Sequence, residues 1–127
     1  GTFGSATGIW GDMPIQRGNT IEAQLAKSQY RDWFHIGRTR NGKFPLVDFQ
    51  KGRNLVSLRT VNTTGRTWIG RMQEHILDLG TRGATVNGRA ANMILDLRVQ
   101  PGGLNAAQAL RGFGRDYGVT VIIKEFL

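Results

Sequence analysis

The chain has 127 residues, which suits one domain with its own core, and 17 Lys and Arg against 9 acids give a formal charge of +8. Thirteen of the basic residues are Arg, whose planar guanidinium suits phosphate. We therefore predict a polyanionic partner: nucleic acid first, an acidic protein second and an anionic membrane third. The absence of cysteine excludes disulfides and thiolate metal sites, and no apolar run approaches the roughly 20 residues that span a bilayer.

The beginning of the chain is predicted to lie outside the domain core. Residues 1–18 hold five Gly among few apolar residues, so we expect a flexible lead-in in which Trp10 and Ile15 act as anchors. Residues 19–127 are expected to form the domain. Because the chain begins with Gly1 rather than Met, we expect it to be a piece of a longer protein.

The first predicted helix carries an acid with two interpretations. Asn19 and Glu22 have the spacing of a capping box, which predicts a helix from Thr20 to about Tyr30. Glu22 is then either a cap residue or a metal ligand on the first turn.

A first strand is predicted over residues 33–38, and the Asn-Gly pair at 41–42 predicts a hairpin turn after it. With that turn, positions whose numbers sum to 83 face each other. His35 would then lie beside Asp48, on the side away from Ser57. Such a His is either a packed side chain or a candidate base or ligand.

A second hairpin is predicted at residues 44–61, where two apolar runs flank the polar tetrapeptide 51–54. Positions whose numbers sum to 105 should pair, which sets Asp48 opposite Ser57, with Arg59 two positions further along the strand. Alternation should give one face to Leu46, Asp48, Gln50, Ser57 and Arg59, and the other to Val47, Phe49, Val56 and Leu58.

Asp48 is the unusual residue of this hairpin. A carboxylate on a largely apolar strand costs free energy unless it is paired or binds a cation. Asp48 therefore either forms a diagonal ion pair with Arg59 on a solvated face or belongs to a functional site. Without cysteine, a metal there would take carboxylate, imidazole or water ligands, which favours Mg²⁺ or Mn²⁺.

The second half of the chain predicts alternating helices and strands. Apolar residues at helical spacing from Trp68 to Leu79 predict a helix that Gly80 ends, with Glu74 and His75 facing solvent. A polar loop (81–90), a strand (93–99), a loop (101–103), a helix (104–117) and a buried strand (119–126) follow. The element order αβββαβαβ predicts an α/β (α+β) chain with a mixed β-sheet and flanking helices.

These motifs resemble the PD-(D/E)xK nucleases. The phrases FPLVDF and SLRT, an upstream helical acid and the following RTWIGRMQEHILDLG are most similar to toxin domains of contact-dependent growth inhibition and other polymorphic bacterial toxins. The resemblance implies a restriction-endonuclease-like core. It makes Glu22 the helical acid, Asp48 the metal-binding aspartate, Ser57 the second acidic position and Arg59 the lysine position.

Arg at the lysine position changes what that residue can do. Arg59 keeps its proton at working pH, so it can clamp a phosphate but is a poor general acid or base. Proton transfer would then fall to Lys51 or to a metal-bound water.

The resemblance implies a metal-dependent endonuclease toxin that hydrolyses tRNA or DNA. Glu22 and Asp48 would hold Mg²⁺, Mn²⁺ or Zn²⁺, and Arg17, Lys51 and Arg53 would contact nucleic acid. A cognate immunity protein would neutralise it. The chain would be delivered as the C-terminal part of a larger secreted or cell-surface protein and act in the target-cell cytoplasm. The alternatives are a non-catalytic basic nucleic-acid-binding module and a basic adaptor for an acidic protein.

Overall fold

A five-stranded mixed sheet with helices on both faces forms the centre of the computed structural model, which describes residues 9–36 and 47–126. The helices are α1 (Pro14–Lys27), α2 (Trp68–Arg82) and α3 (Ala109–Asp116), with 3-10 turns at Ile9–Gly11 and Asn105–Ala107. The strands are β1 (Phe34–His35), β2 (Phe49–Lys51), β3 (Asn54–Val61), β4 (Thr85–Val86), β5 (Arg89–Ala90), β6 (Asn92–Val99) and β7 (Val119–Glu125). The predicted fold class and element order are confirmed, with β4 and β5 as an addition.

The strand order is β1-β2-β3-β6-β7. The first three strands are antiparallel neighbours, whereas β3, β6 and β7 run parallel, because α2 and α3 return the chain to the same end of the sheet. The β4–β5 hairpin forms where we predicted only a polar loop. Its turn is Asn87-Gly88, with φ values of 52° and 79°, the conformation for which an Asn-Gly pair is suited.

The two faces of the sheet carry separate apolar clusters. On one face, α1 packs Ile21 and Leu25 against Phe49, Val56 and Leu58. On the other face, α2 and α3 cover side chains of β3, β6 and β7: Leu55, Val61, Met93, Leu95, Leu97, Val99, Val121 and Ile123. Because both faces of β6 are covered, its two charged residues are buried as well.

Those two residues form a buried polar network that fastens the end of α1 to the sheet. Arg98 donates from Nε and Nη2 to the two carboxylate oxygens of Asp96, at 2.8 Å and 3.0 Å, and from Nη2 to Gln29 Oε1 at 2.6 Å. The Tyr30 hydroxyl donates to Asp96 as well. Tyr30 also stacks on Phe49 with ring centroids 4.5 Å apart, so the network fixes the loop that leads into β1.

Residues 9–18 belong to the fold, which corrects the predicted lead-in for this part of it. The Trp10 indole is buried and donates to the carbonyl oxygen of Phe126 at 3.0 Å, as expected of an anchor. Ile15 is 79% exposed, so it is not a buried anchor within the part of the chain that the structure describes. Residues 1–8 lie outside the described residues.

The start of the first helix is also corrected. Helix α1 begins at Pro14, whose missing N–H and fixed φ suit a first helical position, and it ends at Lys27. Asn19 and Glu22 therefore lie in the helix interior. The predicted capping box does not exist, and the cap interpretation of Glu22 is wrong.

The second hairpin keeps its predicted register. Phe49 pairs with Val56 and Lys51 with Asn54, so paired positions sum to 105. The turn consists of Gly52 and Arg53, and Gly52 has a φ of 61°, which favours glycine.

The register of β1 on β2 differs from the prediction by one residue. His35 pairs with Phe49 rather than with Asp48, and the predicted turn at 41–42 lies outside the described residues. Alternation also breaks just before β2, since Val47 packs with the α2 cluster whereas Phe49 packs with the α1 cluster. Phe49, Val56 and Leu58 share a face as predicted, but Val47 does not. Asp48 thus lies at a kink in the chain.

Candidate active site

Asp48 lies between β1 and β3 at this kink. Its backbone N–H donates to Val56 O at 2.8 Å, its carbonyl accepts from Ile36 N–H, and its carboxylate accepts the Leu58 N–H at 2.7 Å. Only 13% of its side chain is exposed. Burial raises the pKa of Asp48 to about 6, and the negative charge of Glu22 adds to this, while the Leu58 N–H and the charges of Arg59 and His35 oppose it. The Asp48 carboxylate is held in place, but the positive charges near it do not offset the cost of burying its negative charge.

Glu22 and His35 form the neighbouring pair. Glu22 Oε2 on α1 and His35 Nε2 on β1 are 2.5 Å apart, and both side chains are partly exposed. The His35 ring stacks on Phe49 with centroids 4.7 Å apart. The one-residue change of register turns His35 toward α1, so the structure places it with Glu22. Both groups act on the charge of Asp48, so the three side chains are neighbours.

Arg59 lies on the other side of Asp48. Its Nη1 is 3.6 Å from Asp48 Oδ2 and donates to Leu58 O at 2.8 Å, and the side chain is 31% exposed. The predicted diagonal contact of Asp48 with Arg59 is therefore present.

A cleft of about 320 Å³ opens between α1 and the end of β3. Glu22 and Arg59 both line it, together with Pro14, Ile15, Gly18, Asn19, Leu58 and Thr60. An acidic and a basic residue thus line one solvent-accessible space, and Asp48 lies 3.6 Å from Arg59 without lining it.

Ser57 is not part of this cleft. It is fully buried, and its Oγ lies 2.7 Å from Nε2 of His75 on α2, within hydrogen-bonding distance. The structure therefore places Ser57 beneath the site rather than beside Asp48 in the cleft, whereas the sequence motif predicts a residue that touches the metal or substrate.

His75 corrects our prediction that this residue faces solvent, while Glu74 is exposed as predicted. The sequence carried a signal for this: His75 lies three residues after Met72 and four before Leu79, within the apolar stripe of α2. Burial lowers the pKa of His75 to about 4; the charge of Arg59 lowers it further, and that of Asp78 opposes the shift.

The three predicted nucleic-acid contacts differ in exposure. Arg17 is buried: its guanidinium lies 5.0 Å from the Trp10 ring and donates to Thr60 Oγ1 at 3.2 Å, which corrects its assignment. Arg53 is exposed and donates twice to Ala90 O, at 3.0 Å and 2.7 Å, and so ties the β2–β3 turn to β5. Lys51 is exposed at the end of β2.

The chemistry of Glu22 and Asp48 fits a hard divalent cation. A carboxylate whose pKa is raised by burial and by a second carboxylate gains from a nearby cation, and carboxylate oxygens are the ligands such ions prefer. Within residues 9–36 and 47–126, no three His, Asp or Glu side chains could hold a metal ion by themselves. Water and phosphate oxygens would complete the ligand set, as is usual for Mg²⁺.

A solved structure shares this fold. A chain of the CdiA-CT/CdiI toxin and immunity complex from Yersinia pseudotuberculosis superposes with a TM-score of 0.52, over 84% of this chain and 98% of that one, at 16% identity. The match shows the fold. No protein-family model and no curated protein sequence matches the chain. In the part of the chain that the structure describes, no helix is long and apolar enough to cross a membrane.

Proposed function

We propose that this chain is a toxin domain of the PD-(D/E)xK type that hydrolyses phosphodiester bonds of tRNA or DNA. The observation that carries the proposal is that Glu22 and Arg59 line one cleft and that the buried Asp48 lies 3.6 Å from Arg59. The fold is shared with a chain of a toxin and immunity complex. The charge of +8 supports a polyanionic substrate.

Glu22 and Asp48 would hold the divalent cation, with Mg²⁺, Mn²⁺ and Zn²⁺ as candidates. Such a cation neutralises charge on the scissile phosphate and makes a water easier to deprotonate. Asp48 is suited to this task because Leu58 N–H and the kink fix its orientation before anything binds.

Arg59 would clamp the phosphate. Arg59 lines the cleft and is partly exposed, so this side chain could offer a positive charge to the transition state.

Proton transfer would then fall to a group other than Arg59. Lys51 is at the far end of β2, whereas the imidazole of His35 lies beside both carboxylates and is partly exposed. We assign His35, paired with Glu22, as the general base, because imidazole is the side chain that most often accepts a proton in enzymes.

The natural context follows from the same resemblance. A cognate immunity protein would bind the chain and block its activity. An acidic surface on that protein would match the basic charge of the toxin. The chain would be the delivered C-terminal part of a larger secreted or cell-surface protein and would act in the cytoplasm of the target cell.

The experiment is a cleavage assay with the purified chain on tRNA and on plasmid DNA. Each substrate is incubated with Mg²⁺, Mn²⁺ or Zn²⁺ and with EDTA, using the wild type, Asp48→Asn, Glu22→Gln and His35→Gln. Glu74→Gln, an exposed acid of α2, is the matched control. We expect metal-dependent cleavage by the wild type and by the control Glu74→Gln. The variants Asp48→Asn, Glu22→Gln and His35→Gln should lose it. No cleavage of either substrate with any metal, by the wild type and by Arg59→Lys, would refute the proposal.

A second candidate is a non-catalytic nucleic-acid-binding module, which the contact of Arg59 with Asp48 at 3.6 Å favours. In that case Asp48 serves only as an ion-pair partner. Binding would fall steeply with salt, persist without cleavage and be unchanged in Asp48→Asn.

A further inference from the structure

The buried pair of Ser57 and His75 joins α2 to the strand that builds the active site. Both side chains are buried, and no buried side-chain nitrogen or oxygen of the described residues lacks a hydrogen-bond partner. A buried hydroxyl and imidazole that satisfy each other are costly to separate, since each would lose its partner without gaining water. The contact therefore holds its two elements in a fixed relation.

The residues after Ser57 carry the groups of the site. The N–H of Leu58 orients the Asp48 carboxylate at 2.7 Å, and Arg59 lies 3.6 Å from the same carboxylate. A shift of β3 at Ser57 would move both groups relative to Asp48. Ser57 itself has no exposed surface and does not line the cleft, so it cannot touch a substrate there in this conformation.

We propose that His75 is a positioning residue of the active site, which holds Ser57 so that Leu58 N–H and Arg59 keep Asp48 in its reactive orientation. This inference rests on the proposed hydrolysis. It also assigns Ser57 the role of an anchor in place of the second acid of the family motif. Small displacements of a catalytic group reduce the rate strongly, so a contact outside the cleft can control kcat.

The variants separate positioning from packing. His75→Gln keeps a polar group that can reach Ser57 Oγ, whereas His75→Leu fills the space without a partner. Ser57→Ala removes the other half of the contact, and the double variant Ser57→Ala/His75→Leu leaves no unsatisfied hydroxyl. Glu74→Gln, one residue away and exposed, is the matched control.

We expect His75→Leu to lower kcat about tenfold or more with little change in KM, and His75→Gln to recover most of the loss. Ser57→Ala should lower kcat similarly, and the double variant should be no slower than His75→Leu, because both changes break the same contact. If the contact between Ser57 and His75 contributes only to packing, the folded double variant, which has no unpaired hydroxyl, should have the wild-type kcat. That recovery, or a kcat of His75→Leu within about twofold of the wild type, would overturn the proposal.

Hydrogen exchange separates this result from the fate of the proposed function. The hydrogen-exchange rate of the Leu58 backbone amide should rise about tenfold in His75→Leu but not in Glu74→Gln. Amides of β6 serve as the internal reference. A wild type that cleaves nothing refutes the hydrolysis. An unchanged Leu58 amide in His75→Leu refutes the positioning role.

Discussion

Neutralising Asp48 should stabilise the protein while it removes activity. The pKa of Asp48 is raised from 3.8 to about 6, so ionising this side chain costs more free energy in the folded protein than in the unfolded chain. Stability from the protonated form is fully present below pH 3.8 and is lost as the pH rises through about 6. At neutral pH the loss is about 3 kcal/mol, from about 1.4 kcal/mol per pH unit.

Asp48→Asn removes this loss and keeps a carbonyl oxygen that can accept the Leu58 N–H. The attraction to Arg59 lowers the pKa of Asp48 and is already contained in the value of about 6, so it is not subtracted again. We therefore expect a gain of about 3 kcal/mol at pH 7.5, or a rise in melting temperature of roughly 12 °C for a chain of this size.

The assay is thermal and urea unfolding of the wild type and Asp48→Asn at pH 7.5 and pH 4, without metal, with Asp12→Asn as an exposed control. The gain should shrink toward zero at pH 4, and Mn²⁺ should stabilise the wild type but not the variant. A variant less stable than the wild type at pH 7.5 would show that Asp48 mainly serves as the ion-pair partner of Arg59. A gain that does not depend on pH would also refute the reasoning.

Three further predictions concern other residues. His75 has a pKa lowered from 6.5 to about 4, so its contribution to stability is present above pH 6.5 and is lost as the pH falls through about 4. Urea unfolding of Asp48→Asn from pH 7 to pH 4 should therefore show a loss of about 3 kcal/mol in the free energy of unfolding, and adding His75→Gln should remove that loss. An equal loss with His75→Gln would contradict this prediction. Arg59→Lys should keep metal-dependent cleavage, whereas Arg59→Gln should reduce its rate at least about tenfold in single-turnover assays. Cleavage by Arg59→Gln at the wild-type rate would exclude a role of Arg59 as a phosphate clamp. Asp96→Asn should destabilise by about 3–5 kcal/mol in urea unfolding, because it leaves Arg98 buried without its carboxylate, and a change below about 1 kcal/mol would contradict this.

The sequence predicted the elements best where local and tertiary signals agree. The polar break at Gly52 fixed the β2–β3 register, and the apolar stripe from Trp68 to Leu79 gave α2. The parallel strands β6 and β7 followed from their apolar runs, because a strand covered on both faces needs little polar surface.

Other features depended on information that local patterns lack. The Asn19–Glu22 spacing matched a capping box, but Pro14 starts the helix more than a turn earlier. The helix continues through the weak helix formers at 18–20 because its buried face, with Ile21 and Leu25, packs on the sheet. Asn87-Gly88 is a hairpin signal, but its flanking strands are only two residues long, too short for an alternating apolar pattern to mark them.

The roles of the candidate site residues stay predictions, and the structure gives only where these residues lie. Arg59 lies 3.6 Å from Asp48, and the charge of Glu22 raises the pKa of Asp48. The position of His35 depended on a register that differed by one residue, which in a strand reverses the direction of the side chain. Ser57 and His75 were missed as a pair because the partner of a buried hydroxyl comes from the packing of α2, which strand alternation does not encode.

The central claim is that Glu22 and Asp48 together hold a divalent cation, and calorimetric titration of Mn²⁺ into the folded wild type, Glu22→Gln and Asp48→Asn tests it most directly. The account predicts one Mn²⁺ per wild-type chain and an affinity that falls at least about tenfold in each variant while Glu74→Gln binds normally. Equal Mn²⁺ binding by all four proteins, or none by the wild type, would contradict it.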